Sequence, residues 1–152
     1  MLDGVQEAMV FTQLDLHRTY NLTWIKEADE YKTAFERRCG QFQLQVLPFG
    51  LTTTLAIFQL YIHDCLLQYI DDFAVCYHDD ILISMANDKE HEAQVHQVLQ
   101  QLKEFGLQCK AMKCHFGILE VSIVGFAFTQ GQVGMEWDWI ATIEYWLTPK
   151  SV

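Results

Sequence analysis

Apolar and polar positions along this chain follow two different periods, and the switches between them mark out the elements. FTQLDL, Phe11 to Leu16, reads as a short buried strand carrying one acid, Asp15. Tyr31 to Arg38 and Gln41 to Leu47 are two extended runs around Cys39-Gly40. In the second, Phe42, Leu44 and Val46 alternate with Gln41, Gln43 and Gln45, which predicts a half-buried strand ended by Pro48-Phe49-Gly50. From Thr54 to Ile70 the period becomes helical, through Leu55, Phe58, Ile62, Cys65 or Leu66 and Tyr69, for a helix of about four turns.

Two short apolar runs follow, Phe73 to Tyr77 and Ile81 to Ser84, around His78-Asp79-Asp80. Asn87 with Glu90 has the form of a capping box. It opens an amphipathic helix through Val95, Val98, Leu99, Leu102 and Phe105 that Gly106 closes. Ile118 to Phe128 reads as strand, with a turn at Gln130-Gly131, and Glu136 to Leu147 as a Trp-rich helix stopped at Thr148-Pro149. The order predicts one α+β domain with helices on one face of an antiparallel sheet.

At 152 residues and 51% hydrophobic, the chain has ample material for one core. The five cysteines are odd in number and lack framework spacing, which suits reduced thiols in an intracellular protein. Met1 to Val10 has no apolar signal core, and the longest stretch without Lys, Arg, Asp or Glu, Cys39 to His63, is too polar for a membrane span. A net charge of −10 runs against phosphate-backbone binding, so a nucleic-acid reading has to account for it.

Two acidic pairs stand close together, YIDD (Tyr69 to Asp72) and YHDD (Tyr77 to Asp80). Asp71-Asp72 follows a segment of helical period and reads as a solvated helix end. Asp79-Asp80 lies between apolar strands, and spacing alone leaves it open between an ordinary turn and a metal site. Asp15, an isolated acid on another apolar strand, adds weight to the metal site, because a buried carboxylate is costly without a cation or donors. His91-Glu92 to His96 has the wrong spacing for a zinc helix and reads as a solvated helix side. Cys109, Cys114 and His115 lack a second ligand pair and read as partly buried strand, and Trp137, Trp139 and Trp146 as packing residues.

FTQLDLHRTYNL, EYKTAF, LPFGL, FQ and YHDDILIS, followed by EHEAQVHQVLQQLKEFGL, KCHF, VGF, GQVGM and TPKSV, occur in this order. Together they resemble the palm region of reverse transcriptases of gypsy-type LTR retrotransposons, over nearly the whole chain. The resemblance implies a polymerase palm-like sheet over about 11–130 with part of the fingers, and the start of the thumb over about 131–152. It implies RNA-directed DNA polymerase activity with Asp15, Asp79 and Asp80 as catalytic metal ligands for two Mg²⁺ ions, Mn²⁺ being possible. Primer–template nucleic acid and deoxynucleoside triphosphates are the implied partners. Tyr20 matches the aromatic gate under the sugar, Arg18 and Thr19 the triphosphate turn, and Phe49 and Gly50 the segment packed on the incoming nucleotide. Tyr77 and His78 belong to the nucleotide-facing motif, and Val124, Gly125 and Phe126 to the region that holds the primer end.

The sequence departs from that family at several points. His78 stands where an aliphatic residue is usual, Thr53-Thr54-Leu55 replaces Asn-Ala-Pro, and Trp137 and Trp139 replace proline and lysine. Arg18 and Thr19 replace smaller or less basic residues. The expectation is a polyprotein fragment lacking most of the fingers, most of the thumb and the RNase H region, and the absent parts would account for the acidic balance. A non-catalytic remnant that persists as a folded interaction module is the alternative.

Overall fold

The computed structural model describes residues 8–17, 19 and 23–146. Its centre is a four-stranded antiparallel sheet in the order β4-β5-β1-β6, built from β1 (Val10–Asp15), β4 (Ala74–Tyr77), β5 (Asp80–Met85) and β6 (His115–Ile118). The first strand in the chain is thus an inner strand of the sheet, flanked by β5 and β6. Along β1 the period-2 rule divides the side chains. Leu14 joins a core with Phe58, Ile62, Ile81, Val98 and Leu102, while Phe11 joins a second core with Leu82, Val121, Ile123 and Phe128.

The first of these cores lies under two helices, α1 (Thr54–Leu66) and α2 (Asp88–Glu104). Both helices follow the apolar spacing of the sequence. Asn87 caps α2 by accepting from the Lys89 N–H at 3.1 Å, and Gly106 at φ +72° ends it in a left-handed residue. Among the described residues, no helix packs in the core on the opposite face of the sheet. A three-stranded meander packs there instead: β7 (Glu120–Ile123), β8 (Phe126–Thr129) and β9 (Gln132–Met135).

Several expectations need correction. Ile118 to Phe128 is not one strand: it is divided at Leu119 and again by a two-residue turn, Val124-Gly125, with both residues at positive φ, +52° and +79°. Valine strongly disfavours that region, so its β-propensity hid the turn. The strand β9 was not anticipated either; the Gln130-Gly131 turn that introduces it was. The hairpin around Cys39-Gly40 is real but short, with β2 (Phe35–Arg37) paired to β3 (Gly40–Phe42). Neither strand is half-buried, because no other element covers them and Phe35 stacks on Phe42 at 5.8 Å while both remain exposed. The Trp-rich helix α3 runs over Trp137–Glu144 and buries none of its residues, so its tryptophans are surface residues in the described chain.

His91 is a further correction. It is 5% exposed rather than solvated, and its Nε2 lies 2.7 Å from Thr12 Oγ1. Thr12 Oγ1 also accepts from the Gly117 N–H at 3.2 Å, at the point where the β1–β6 register shifts. One threonine therefore ties β1, β6 and α2 together. Burial holds the His91 pKa below its usual value against the opposing pull of Asp88, which keeps the ring neutral at that junction. No described helix is long and apolar enough to cross a membrane.

Thr12→Val keeps the shape and removes both hydrogen bonds, leaving Gly117 N–H and His91 without their partner. It is expected to lower stability by about 1–3 kcal/mol in urea titration. An unchanged midpoint would show that the junction contributes nothing.

Candidate active site

Asp15 and Asp80 are cross-strand partners in the β1–β5 ladder, and Asp80 also faces Tyr77 across the β4–β5 hairpin. By the alternation above, Gln13 and Asp15 project to the side of the sheet without helices, at the end not covered by the meander's apolar contacts. Both are half-buried. The hairpin is tighter than the sequence suggested: its turn is His78-Asp79, and Asp80 is already the first residue of β5. The Leu16 N–H donates to the Asp79 carbonyl at 2.8 Å, and the Lys110 N–H to the Asp15 carbonyl at 2.8 Å. Backbone hydrogen bonds thus fix this end of β1 on both edges.

Each of the three carboxylates is engaged by a different protein donor. Lys113 Nζ lies 2.8 Å from Asp15 Oδ2. Thr19, 1% exposed, donates its hydroxyl to Asp79 Oδ1 at 2.6 Å, and Gln13 Nε2 donates to Asp80 Oδ1 at 3.3 Å. With the side chains so engaged, no group of three or more His, Cys, Asp or Glu among the described residues is gathered to hold a metal ion. The acids still sense one another. Burial pushes the Asp80 carboxyl above its usual range, the Gln13 hydrogen bond opposes this, Asp15 and Asp79 add to the rise, and Lys113 offsets part of it. The Lys113 ammonium is raised in turn, first by its hydrogen bond to Asp15.

In residue type the three carboxylates fit a divalent cation, while their side chains, held by Lys113, Thr19 and Gln13, are not gathered about one point. Three carboxylates offer hard oxygen ligands from two paired strands and one tight turn, the chemistry that Mg²⁺ and Mn²⁺ favour.

The other expected residues divide. Tyr77, 48% exposed, and His78 line a cavity of about 450 Å³ with Val124 and Phe126, so the acidic hairpin and the β7–β8 turn share one apolar hollow. Gly125 lies just behind it, where an added Cβ would be 3.2 Å from the Trp139 indole. Phe49, 73% exposed, and Gly50 stand on the turn before α1. Arg18 and Tyr20 lie outside the described residues. Asp71 and Asp72 are exposed in the turn between α1 and β4, away from the three acids, as their helical context suggested.

Gln13, Lys113 and Gln59 were not anticipated as parts of the site. Gln13 had a signal, being two residues before Asp15 on the same strand face. Lys113 sits within KCHF and Gln59 within FQ, but no local pattern says that the first reaches Asp15 or the second the acidic hairpin. Cys76 under the hairpin is also not a reactive group, since burial pushes its thiol up to about 12.

The family model for reverse transcriptase (RNA-dependent DNA polymerase) matches residues 2–128. The chain belongs to the reverse transcriptase family. Members of this family generally use divalent metals. Among curated relatives, this reverse transcriptase domain is 34% identical to the Transposon Tf2-3 polyprotein of Schizosaccharomyces pombe over 151 residues. It is 32% identical to the Transposon Tf2-7 polyprotein of the same organism. In both cases the alignment covers 99% of this chain and 11% of the relative, so the chain spans about a tenth of those polyproteins.

Among solved structures, the domain is similar to a foamy viral protease–reverse transcriptase in complex with double-stranded DNA, with a TM-score of 0.81 and 25% identity. That match covers 94% of this chain and 25% of the other. A foamy viral protease–reverse transcriptase in complex with an RNA/DNA hybrid shares the fold, with a TM-score of 0.77, 24% identity, and coverage of 96% and 20%. The α+β architecture and the family read from the motifs are thereby shown.

Because burial raises the folded Asp80 carboxyl above its ordinary value, folding favours its protonated form. The corresponding stability is complete below the unfolded pKa and is lost as pH rises through the folded one. Asp80→Asn is therefore expected to raise the melting temperature of the metal-free domain at pH 7, as read by scanning calorimetry. That gain should disappear near pH 3.5. A lower melting temperature for the variant at pH 7 would contradict the assignment.

Proposed function

We propose that this domain carries the metal-binding centre of an RNA-directed DNA polymerase, with Asp15, Asp79 and Asp80 as ligands for two divalent ions, Mg²⁺ by preference and Mn²⁺ as an alternative. The observation that carries the reading is the register of the sheet. Asp15 and Asp80 are direct partners across β1 and β5, and Asp79 is tied by its carbonyl to the residue after Asp15. The acids thus occupy one end of a packed sheet, on the face without helices.

The ions would lower the pKa of a primer 3′-hydroxyl and neutralise charge on a nucleoside triphosphate. The chain's own residues supply the frame. The β1–β5 ladder holds the carboxylates on rigid backbone, and Gln13 and Thr19 orient Asp80 and Asp79 by hydrogen bonds. Lys113 offsets negative charge beside Asp15 when no ion is bound. Val124, Gly125 and Phe126 form a turn that projects toward the acidic hairpin across the shared cavity, a suitable position for the primer end. Primer–template nucleic acid and deoxynucleoside triphosphates are the substrates this assigns, which is in keeping with the nucleic acids bound by the similar foamy viral proteins. Arg18, Tyr20, Phe49 and Gly50 are assigned to the nucleotide on motif position. The charge of −10 belongs to this stretch alone, and the longer polyproteins that it resembles contain further segments.

The test is primer extension on a primed RNA template with Mg²⁺ or Mn²⁺, comparing the chain with Asp79→Asn. Metal-dependent extension by the unmodified chain, abolished in the variant, is the expected result. An unmodified chain that neither extends the primer nor binds Mn²⁺ in calorimetry would instead identify a non-catalytic remnant.

A further inference from the structure

His78 holds a backbone conformation that its side chain disfavours. Its φ is +53°, in the left-handed region that costs a non-glycine residue on the order of 1–2 kcal/mol. It sits directly before Asp79 in a turn of two residues, so its conformation decides where the two acids stand. Something must hold it there, and the hairpin ladder alone ends at the Tyr77–Asp80 pair.

Gln59, on the opposite element α1, reaches that turn with both ends of its amide. Its Oε1 accepts from the His78 N–H at 2.9 Å, and its Nε2 donates to the Cys76 carbonyl at 3.2 Å. The partners settle the orientation of the amide, since an N–H needs the oxygen and a carbonyl needs the nitrogen. The two anchored groups flank the last residue of β4, so the clamp grips the strand just where it enters the turn. Phe58 and Ile62, neighbours of Gln59 on α1, are fully buried, so the helix that carries the amide is itself fixed in the core. The His78 ring packs edge-on to Tyr77 at 4.3 Å, and its Nδ1 is buried without a hydrogen-bond partner. The ring therefore contributes little that would hold the turn. The Leu16 N–H and Thr19 hydroxyl hold Asp79, and the Cys76 thiol lies 3.7 Å from the His78 carbonyl. The His78 N–H itself is held by Gln59.

We propose that Gln59 is a positioning residue for the acidic turn, its amide bridging the Cys76 carbonyl and the His78 N–H so that Asp79 and Asp80 stand ready for a cation. The inference deepens the metal-centre reading and rests on it for its functional consequence. The clamp itself is independent of any metal.

Two measurements separate the claims. Amide exchange at His78, followed without metal, reports the clamp alone, and Mn²⁺ affinity by electron paramagnetic resonance reports its consequence. Gln59→Leu is expected to speed His78 exchange about tenfold while Val98 and Leu102 in α2 keep their protection. It should also weaken Mn²⁺ binding about tenfold. In a His78→Gly background, where the left-handed conformation carries no penalty, the same substitution should weaken Mn²⁺ binding by less than about twofold. If Gln59→Leu fails to fold, Gln59→Glu takes its place, keeping an acceptor for the His78 N–H but placing a carboxylate against the Cys76 carbonyl; it should show the same changes at smaller amplitude.

Unchanged His78 exchange overturns the proposal. So does an equal loss of Mn²⁺ affinity in the two backgrounds, which would show that Gln59 acts other than through the turn. An unmodified chain that binds no Mn²⁺ overturns the metal-centre reading instead, and the exchange measurement then decides the clamp by itself.

Discussion

The pairing of β1 with β5 is the constraint on which the rest of this structure depends. It sets Asp15 opposite Asp80, and a slip of one residue would send both acids to the helical face and Leu14 and Ile81 to solvent. Such a slip is strongly opposed, because both faces of the sheet near β1 are packed. Leu14 and Ile81 are fully buried beneath the helices, and Phe11 and Leu82 are equally buried beneath the meander. The cores on the two sides thus fix a register whose product is an acidic cluster at the sheet end. The hydrophobic effect supplies the rigidity, and the carboxylates inherit their positions from it.

That arrangement has an electrostatic cost, visible in the raised Asp80 carboxyl. The protein meets it locally, with one donor for each acid. Lys113, Thr19 and Gln13 come from three different places in the chain, and none is adjacent to the acid it serves. Their number matches the number of carboxylates. A cluster of three negative charges in a domain of net charge −10 would otherwise repel itself without relief from its surroundings. A cation at the proposed site would therefore meet carboxylates that are already engaged, and would have to displace Lys113 from one oxygen of Asp15.

Much of this was legible in the sequence where periodicity and function agree. The helices α1 and α2 follow their apolar stripes, the hairpin from Phe73 to Ser84 is flanked by β-branched and aromatic residues, and Asp15 stands out as an acid inside an apolar strand. The failures share one cause, which is that period says nothing about partners. Phe42, Leu44 and Val46 alternate cleanly, yet β3 has only β2 beside it, so the apolar side chain of Phe42 stays exposed. His91 sits in a polar-looking helix segment, but Thr12, distant in sequence, draws it into the interior. Val124 reads as strand because β-branched residues favour strands, yet it stands, half exposed, in a turn that its own preference opposes. Gln59 and Lys113 are invisible for the same reason, since their roles exist only once α1 and the segment after α2 have docked on the acidic hairpin.

The strand order also has a consequence in time. β1 is made before both of its partners, which come from residues 80–85 and 115–118, and ends as an inner strand between them. During synthesis it must wait on the order of ten seconds for both neighbours to emerge, with two unpaired edges and an apolar sequence. In this interval the strand can pair wrongly, with another nascent copy or with the β-prone segments that follow. Asp15 and Gln13 are the two polar positions on one face of that strand, and a charge there makes the open edge of an otherwise apolar segment a poorer template for a stray partner.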